Sequence, residues 1–378
     1  MRSLGNAAAA SASALQVKLA KKARILPPMR ALGANREQIA PMTASSDFAR
    51  DGVFANLDPA PDIEGPDMGI AMDMLRHPGK PNAPIPVLRP TFPATPDGMS
   101  VTWLGHASAV VDLDGVRMVT DPVLSQRCSP SQFIGPKRLH RAPLTAAELP
   151  HLDVVLISHD HYDHLDTPTV IAIARAQPEA IFVVPIGVGA HLQAWGVAPD
   201  RIRQADWYEQ VDLTVRGTTI RFHAAPARHF SGRSVARNLT QWVSWSVIGP
   251  HHRFFFSGDT GMTQSYVQTG RDFGPFDVTL IAIGAYDPSW PDIHLTPEEA
   301  VAIHQMLNGA PGPGILLPIH WGTFNLARHS WADPMVRLTT EAQRLGFDVC
   351  APRPGATLVA ENRTGTAFFD ATWWERCA

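Results

Sequence analysis

Between residues 99 and 320 the chain reads as short apolar runs, most four to seven residues long, cut by turn residues. Val101–Leu104, Ala109–Leu113 and Val116–Thr120 are β-prone and separated by turns such as Asp114-Gly115. The same pattern predicts strands over 153–158, 181–185, 211–215, 219–225, 242–248, 253–257, 277–283 and 314–319. Longer amphipathic stretches predict helices over 168–176, 188–194, 263–271, 297–308 and 333–345. Thr296-Pro297-Glu298-Glu299 carries an N-cap, a first-turn proline and a capping-box glutamate, and Asp333-Pro334 repeats the first two of these. Strand blocks with helices between them point to a layered α/β domain.

The N-terminal quarter lacks this pattern. Residues 1–36 hold seven Lys or Arg and no acidic residue. Leu15, Leu19 and Leu26 fall near one face of a helix able to touch anionic lipid, but no apolar secretory core is present. A targeting role for this segment stays open beside a solvated tail. Residues 37–98 are rich in Pro, Gly and Asp, and prolines at 78, 81, 84, 86, 90, 93 and 96 bar central strands and helix interiors. The expected organisation is a basic segment over 1–36, an extended arm over 37–98 packing on the core, and a main α/β domain over 99–378.

Composition narrows the classes. With 45% hydrophobic and 18% charged residues, the 378-residue chain can bury a sizeable core. A net charge of -3 argues against nucleic acid as a partner. The three cysteines, at 128, 350 and 377, lack metal or disulfide spacing and read as free thiols.

The chemistry concentrates in Ser158-His159-Asp160-His161-Tyr162-Asp163-His164-Leu165-Asp166, which follows the apolar run Val154–Ile157. Side chains two apart in an extended segment point to one side, so His159 and His161 can share a metal ion. Asp163 and His164 lie beyond the turn, within reach of a second. Imidazole and carboxylate without thiolate suit Zn²⁺, with Fe or Mn as alternatives. Further ligands must come from elsewhere, and His229, Asp259 and His320 each follow an apolar strand.

The spacing His159-x-His161-x-Asp163-His164, with His229, Asp259 and His320 downstream, resembles the metallo-β-lactamase superfamily. Within it the chain is most similar to the N-acyl-phosphatidylethanolamine-hydrolysing phospholipase D family. That closer likeness rests on Val101–Ala107, Thr120–Pro122, Ser129–Gln132, Gly135–Arg138, Ser257–Gly261, Phe273–Asp277, Ile283–Tyr286, Pro297–Ala300 and Ile319–Phe324. The resemblance implies a four-layer αβ/βα sandwich with two zinc ions at one sheet edge. It assigns His159, His161 and His229 to one ion, Asp163, His164 and His320 to the other, and Asp259 to both. Water held between two such ions loses a proton near neutral pH and attacks a phosphodiester, so Asp163 and Asp259 enter the catalytic set. His294 is placed there too and, with Gln132, against the substrate. A phospholipid substrate, a homodimer, and a cytoplasmic or peripheral membrane location follow from the same likeness. Asp121 and Asp166 are expected to orient ligand imidazoles, and His106 to support the site without binding metal. The same metals could serve a lactonase or β-lactamase-like hydrolase of a small ester or amide. A binding protein merely stabilised by metal is the reading from another class.

Overall fold

The computed structural model describes residues 27–60, 79–312, 314–361, 363 and 370–378. Fourteen strands among them form two seven-stranded sheets. The first has the order β14-β1-β2-β3-β4-β5-β6, from β1 (Met99–Gly105), β2 (Ser108–Leu113), β3 (Val116–Thr120), β4 (Val154–Leu156), β5 (Ile181–Pro185), β6 (Ile202–Ala205) and β14 (Thr357–Val359). The second runs β13-β12-β11-β10-β9-β8-β7, from β7 (Gln210–Val215), β8 (Thr218–Pro226), β9 (Val243–Ile248), β10 (Arg253–Phe256), β11 (Val278–Ala282), β12 (Ile315–Ile319) and β13 (Asp348–Val349).

Helices precede and follow in chain order: α1 (Pro27–Ala31), α2 (Arg36–Thr43), α3 (Thr167–Ala176), α4 (Val188–Ala194), α5 (Ser265–Phe273), α6 (Pro297–Asn308) and α7 (Asp333–Leu345). In each sheet, antiparallel strands give way to a parallel series. β3 to β6 are parallel neighbours in one sheet, and β10 to β13 in the other. Parallel pairing demands a crossover connection, and α3 to α7 supply one for each parallel pair except β3 and β4, which a long loop with a 3₁₀ turn at Ala146–Glu148 joins.

The period-two alternation of the strands sorts side chains into two cores. Val154 and Leu156 of β4 face the inner core, with Phe222, Trp245, Phe254 and Leu317 of the second sheet. Val155 and the following Ile157 turn outward to pack with Val170, Ile173 and Leu192 of α3 and α4. Tyr266, Val301 and Leu338 of α5, α6 and α7 cover the far side of the second sheet. The layers are helix, sheet, sheet, helix, as the sequence reading expects.

Several elements depart from that reading. The helix α2 lies inside the expected extended arm. Asn35 caps it, and the reciprocal bonds of Asn35 and Gln38 close a capping box that outweighs Pro41 within it. Asp333 is not an N-cap: the helix begins at Asp333 itself, whose carboxylate instead accepts from the Tyr286 hydroxyl. The capping box at Thr296 and Glu299 is present as read. The edge strands β6, β13 and β14 have too little apolar pattern to be seen in sequence. The helix read through Leu15, Leu19 and Leu26 lies outside the described residues. No helix among those described is long and apolar enough to cross a membrane. Cys128, Cys350 and Cys377 are all free and buried.

A buried histidine gives the scaffold a pH dependence. His304 of α6 lies with Nδ1 2.7 Å from the Thr279 hydroxyl and its ring against Phe347. Burial lowers its pKa from 6.5 to about 4, partly opposed by Asp348. Between these values the unfolded chain binds a proton that the folded chain refuses, so stability falls as pH drops through this window. His304→Gln should flatten the stability curve there by up to about one proton. Urea unfolding midpoints from pH 7 to pH 4 would measure it, and parallel curves for the two proteins would refute it.

Candidate metal centre

All the parallel strands of each sheet, together with β1 and β8, end at one edge, and the chemistry-bearing residues follow those ends. His106 follows β1, Asp121 follows β3, His159 to His164 follow β4, and His229 follows β8. Asp259 follows β10, His294 follows β11, and His320 follows β12. The two sheets are tied at this edge by main-chain bonds. Val243 N donates to Ser158 O at 3.0 Å, and His320 N to His106 O at 3.1 Å. The Trp245 indole reaches across to Ile157 O at 2.8 Å.

Close approach has a backbone cost, met in two ways. Gly258 sits at φ +54°, and a Cβ there would lie 2.5 Å from the Ser158 Cβ, so only glycine lets the Asp259 turn meet the β4 loop. His106, Asp121 and His320 are held at φ +54°, +29° and +60°, values uncommon for residues with a Cβ. Left-handed backbone at three residues of one site is strain that the surrounding bonds must enforce.

The side chains converge on Asp259. Its Oδ2 lies 3.1 Å from His320 Nε2, 3.2 Å from His164 Nε2, 3.7 Å from His229 Nε2, 3.9 Å from His294 Nδ1 and 4.0 Å from His159 Nε2. Asp163 Oδ2 is 3.2 Å from His320 Nε2 and 3.5 Å from His164 Nε2. On the other side, His161 Nδ1 stands 2.9 Å from His159 Nε2 and 3.2 Å from His229 Nε2. Every expected metal ligand is therefore in one cluster, buried except for the partly exposed His161 and Asp163, in two groups that meet at Asp259. His294 belongs with them and Gln132 does not. Gln132 is exposed, and both ends of its amide bond the Arg127 backbone.

Residues around the cluster fix ring orientation. His229 Nδ1 lies 2.8 Å from Ile293 O, which makes it the protonated nitrogen and turns the Nε2 lone pair inward. Asp121 Oδ2 lies 2.6 Å from His164 Nδ1 and does the same there, while its Oδ1 accepts from Ser158 N at 2.7 Å. Asp121 thus orients a cluster imidazole, as the sequence reading has it. Asp166 does not: its carboxylate caps α3 through Thr169 and binds the Ser125 hydroxyl at 2.6 Å. A short acidic side chain before Thr167-Pro168 is a helix-start signal, and that local role won. His106 stands nearer the centre than expected, with Nε2 2.9 Å from Asp163 Oδ2.

The protonation pattern is divided. Burial, reinforced by neighbouring imidazoles, drives His159 well below the ordinary imidazole range. Burial likewise lowers His229, against the pull of Asp259. Both present neutral lone pairs. For His320 burial is overcome by Asp259 and Asp163, which raise its pKa to about 9, and His164 is raised well above its ordinary value by the same carboxylates. Asp259 and Asp163 are held well below the carboxylate range despite burial, chiefly by His164.

Such a set fits cations. His159 Nε2 and His229 Nε2 both face His161 Nδ1, at 2.9 and 3.2 Å, and one ring N–H cannot satisfy both, whereas a cation among the three would. Ligands at about 2.0–2.1 Å on a tetrahedral ion are spaced roughly 3.3 Å apart, close to what is seen. Asp259 Oδ1 is buried with no hydrogen-bond partner, as is His294 Nδ1. An unpaired buried carboxylate oxygen is expensive unless something charged meets it.

Comparison with known proteins agrees. Residues 116–321 match the family described as beta-lactamase superfamily domain. The uncharacterized protein Rv0906 of Mycobacterium tuberculosis is 48% identical over 334 residues, 86% of this chain and 87% of its own. N-acyl-phosphatidylethanolamine-hydrolyzing phospholipase D 1 of Caenorhabditis elegans is 39% identical over 60% of this chain and 65% of its own length. The mitochondrial enzyme of that name from Saccharomyces cerevisiae is 30% identical over 68% of this chain and 55% of its own. Among solved structures, Igni18, a metallo hydrolase from the archaeon Ignicoccus hospitalis, superposes with a TM-score of 0.52 at 20% identity, covering 69% of this chain and 97% of that one.

The orienting role of Asp121 is testable. Asp121→Asn keeps the shape but offers one acceptor oxygen where two are used, so Zn²⁺ affinity should fall about 10–100-fold. Competition against a chromophoric chelator would measure this, and unchanged affinity would exclude the role. With the ligand set, the strand-end geometry and the family match in agreement, the chain belongs to the β-lactamase superfamily and is built as a metal-dependent hydrolase.

Proposed function

We propose that this protein is a dinuclear metal hydrolase of phosphodiesters, acting as a phospholipase D on N-acyl-phosphatidylethanolamine-like lipids. The observation that carries it is the pair of donor groups meeting at the buried Asp259, whose second oxygen has no partner. His159, His161 and His229 would hold one ion and Asp163, His164 and His320 the other, with Asp259 placed where the two groups meet. Two ions, Zn²⁺ or alternatively Fe or Mn, would supply an activated water and stabilise charge developing on the phosphate.

The chain's own residues do the rest. Asp121 and Ile293 O keep the ligand rings in one tautomer. His106 donates to Asp163 and so holds one oxygen of that carboxylate in place; burial keeps His106 neutral, with a pKa of about 3. His294 is also neutral, lowered to about 4 by burial, and its unpaired Nδ1 beside Asp259 is free to bond a phosphate oxygen. Phospholipase D-type cleavage breaks the bond between phosphorus and the headgroup alcohol, giving phosphatidate and an N-acylethanolamine.

The lipid part of the proposal draws on the two phospholipase D relatives and on one surface feature. Phe133 and Ile134 are 90% and 76% exposed beside Gln132. A groove of about 500 Å³ adjoins that loop, lined by Pro28, Ala31, Pro130, Phe133 and Ile171. Exposed aromatic and aliphatic side chains beside an apolar groove suit an acyl chain or a lipid surface.

A substrate panel tests this reading: N-acyl-phosphatidylethanolamine vesicles, bis-p-nitrophenyl phosphate, a lactone and a cephalosporin. Phosphodiester turnover is expected to exceed the others and to fall by at least about 10³-fold in His161→Ala and Asp163→Asn proteins. Faster turnover of lactone or cephalosporin would replace the phosphodiester reading with ester or amide hydrolysis. Wild-type rates in both variants would remove the metal mechanism.

A further inference from the structure

Behind the β4 loop, on the side away from Asp259, lies a buried cation that no step of the proposed chemistry uses. Arg233 is 4% exposed. All five of its N–H groups are engaged, and every acceptor is an oxygen of two chain segments. Nη1 donates to Asp160 O at 2.6 Å and to Leu165 O at 2.8 Å, gripping both ends of the turn that carries His161, Asp163 and His164. Nη2 reaches the Thr167 hydroxyl at 3.0 Å, where that loop enters α3. Nε and Nη2 together bind Ala31 O at 2.9 and 2.8 Å, at the end of α1. The guanidinium lies between the rings of Tyr162 and Trp195, 4.2 and 5.0 Å from their centroids. Tyr162 in turn donates its hydroxyl to Arg233 O at 2.6 Å.

A second bridge joins the same two segments. Asp160 Oδ2 lies 3.2 Å from His191 Nε2, and His191 Nδ1 accepts from Ala34 N at 2.9 Å. Asp160 is itself held by Gly232 N at 2.7 Å and the Thr240 hydroxyl at 2.9 Å. Gly33 makes the approach feasible: at φ +72° its added Cβ would lie 2.3 Å from His191 Nδ1. The Trp195 indole completes the seam by donating to Arg30 O at 2.8 Å.

We propose that Arg233 is a positioning residue for the metal loop, clamping residues 160–167 against the segment 30–34, so that this N-terminal segment forms part of the metal-binding scaffold. The inference rests on the dinuclear reading of that loop. Its chemistry is specific to arginine. Sequestering a guanidinium from water is costly, and here the cost is offset by five oriented bonds and two aromatic faces, with the nearby Asp160 and Asp166 carboxylates adding attraction without bonding it directly. A lysine has three donors on one atom and cannot reach both ends of the turn and Ala31 together. A loop released from this clamp keeps its ligands but loses the fixed spacing that tight metal binding needs.

Co²⁺ binding to the full chain tests this without reference to turnover, because visible absorption reports ligand geometry and chelator competition reports affinity. Arg201 is a suitable control, being another arginine that caps carbonyls, those of Ala174, Gln177 and Ala180, away from the loop. Arg233→Met is expected to weaken Co²⁺ about tenfold or more and to change the absorption bands, with Arg233→Lys recovering only part. Arg201→Met should lower the melting temperature while holding affinity within about twofold. Should Arg233→Met not fold, Gly33→Val attacks the clamp from the other side and is expected to weaken Co²⁺ by a similar factor. Wild-type affinity and spectrum in Arg233→Met, or in Gly33→Val, would overturn the clamp, as would an equal loss in Arg201→Met. Absence of Co²⁺ binding by the unaltered protein would instead remove the dinuclear reading beneath it.

Discussion

Five imidazoles and two carboxylates packed around one buried point repel or strand one another unless cations balance them. His159 and His229 both turn Nε2 toward His161 Nδ1, which can bond only one of them, while Asp163 and Asp259 compete for His164 and His320. Much of the surrounding structure is best understood as holding that arrangement. The sheets are joined at the loop edge by Trp245, Val243 and His320, the backbone is forced left-handed at His106, Asp121 and His320, and glycine at 258 admits the central carboxylate of Asp259. The bonds between the sheets stabilise this edge and offset the left-handed backbone and the crowded donors, which cost stability locally and which metal binding would return.

The support continues outward in a consistent order. Asp121 joins Ser158 to His164, so one carboxylate fixes both the start of the loop and a ligand ring. Asp160, whose side chain points away from the cluster, is bound by His191, Thr240 and Gly232. Arg233 then holds the loop's own carbonyls. Alternate residues of the motif therefore serve opposite sides: His159, His161 and Asp163 face the cluster, while Asp160 and Tyr162 face the scaffold. A short strand end can present several ligands rigidly only if the intervening residues are anchored this way.

Much of this was legible in the chain. Strand and helix periodicity is strong where both faces are buried, and β5, α6 and α7 have the bounds the pattern predicts. The convergence of the donors was legible because they lie beyond the ends of apolar runs, so strand-end placement brings distant residues together. What escaped depends on contacts that leave no local mark. The strands β6, β13 and β14 lie at or near sheet edges, and α2 rests on a single capping box. Asp166 was misread because a carboxylate before Thr167-Pro168 serves equally as helix cap or ring orienter, and only the Thr169 and Ser125 bonds decide. Nothing in the sequence around Arg233 signals burial, since its acceptors are three carbonyls and one hydroxyl from segments up to 202 positions away.

Metal content is the most direct measure of the central claim. The full chain would be equilibrated with Zn²⁺, freed of excess by gel filtration, and analysed by plasma mass spectrometry beside the Asp259→Asn protein. A dinuclear centre sharing Asp259 should give about two ions per wild-type chain and a clear loss in the variant. A wild-type content near zero, or an Asp259→Asn protein that retains two ions, would contradict it.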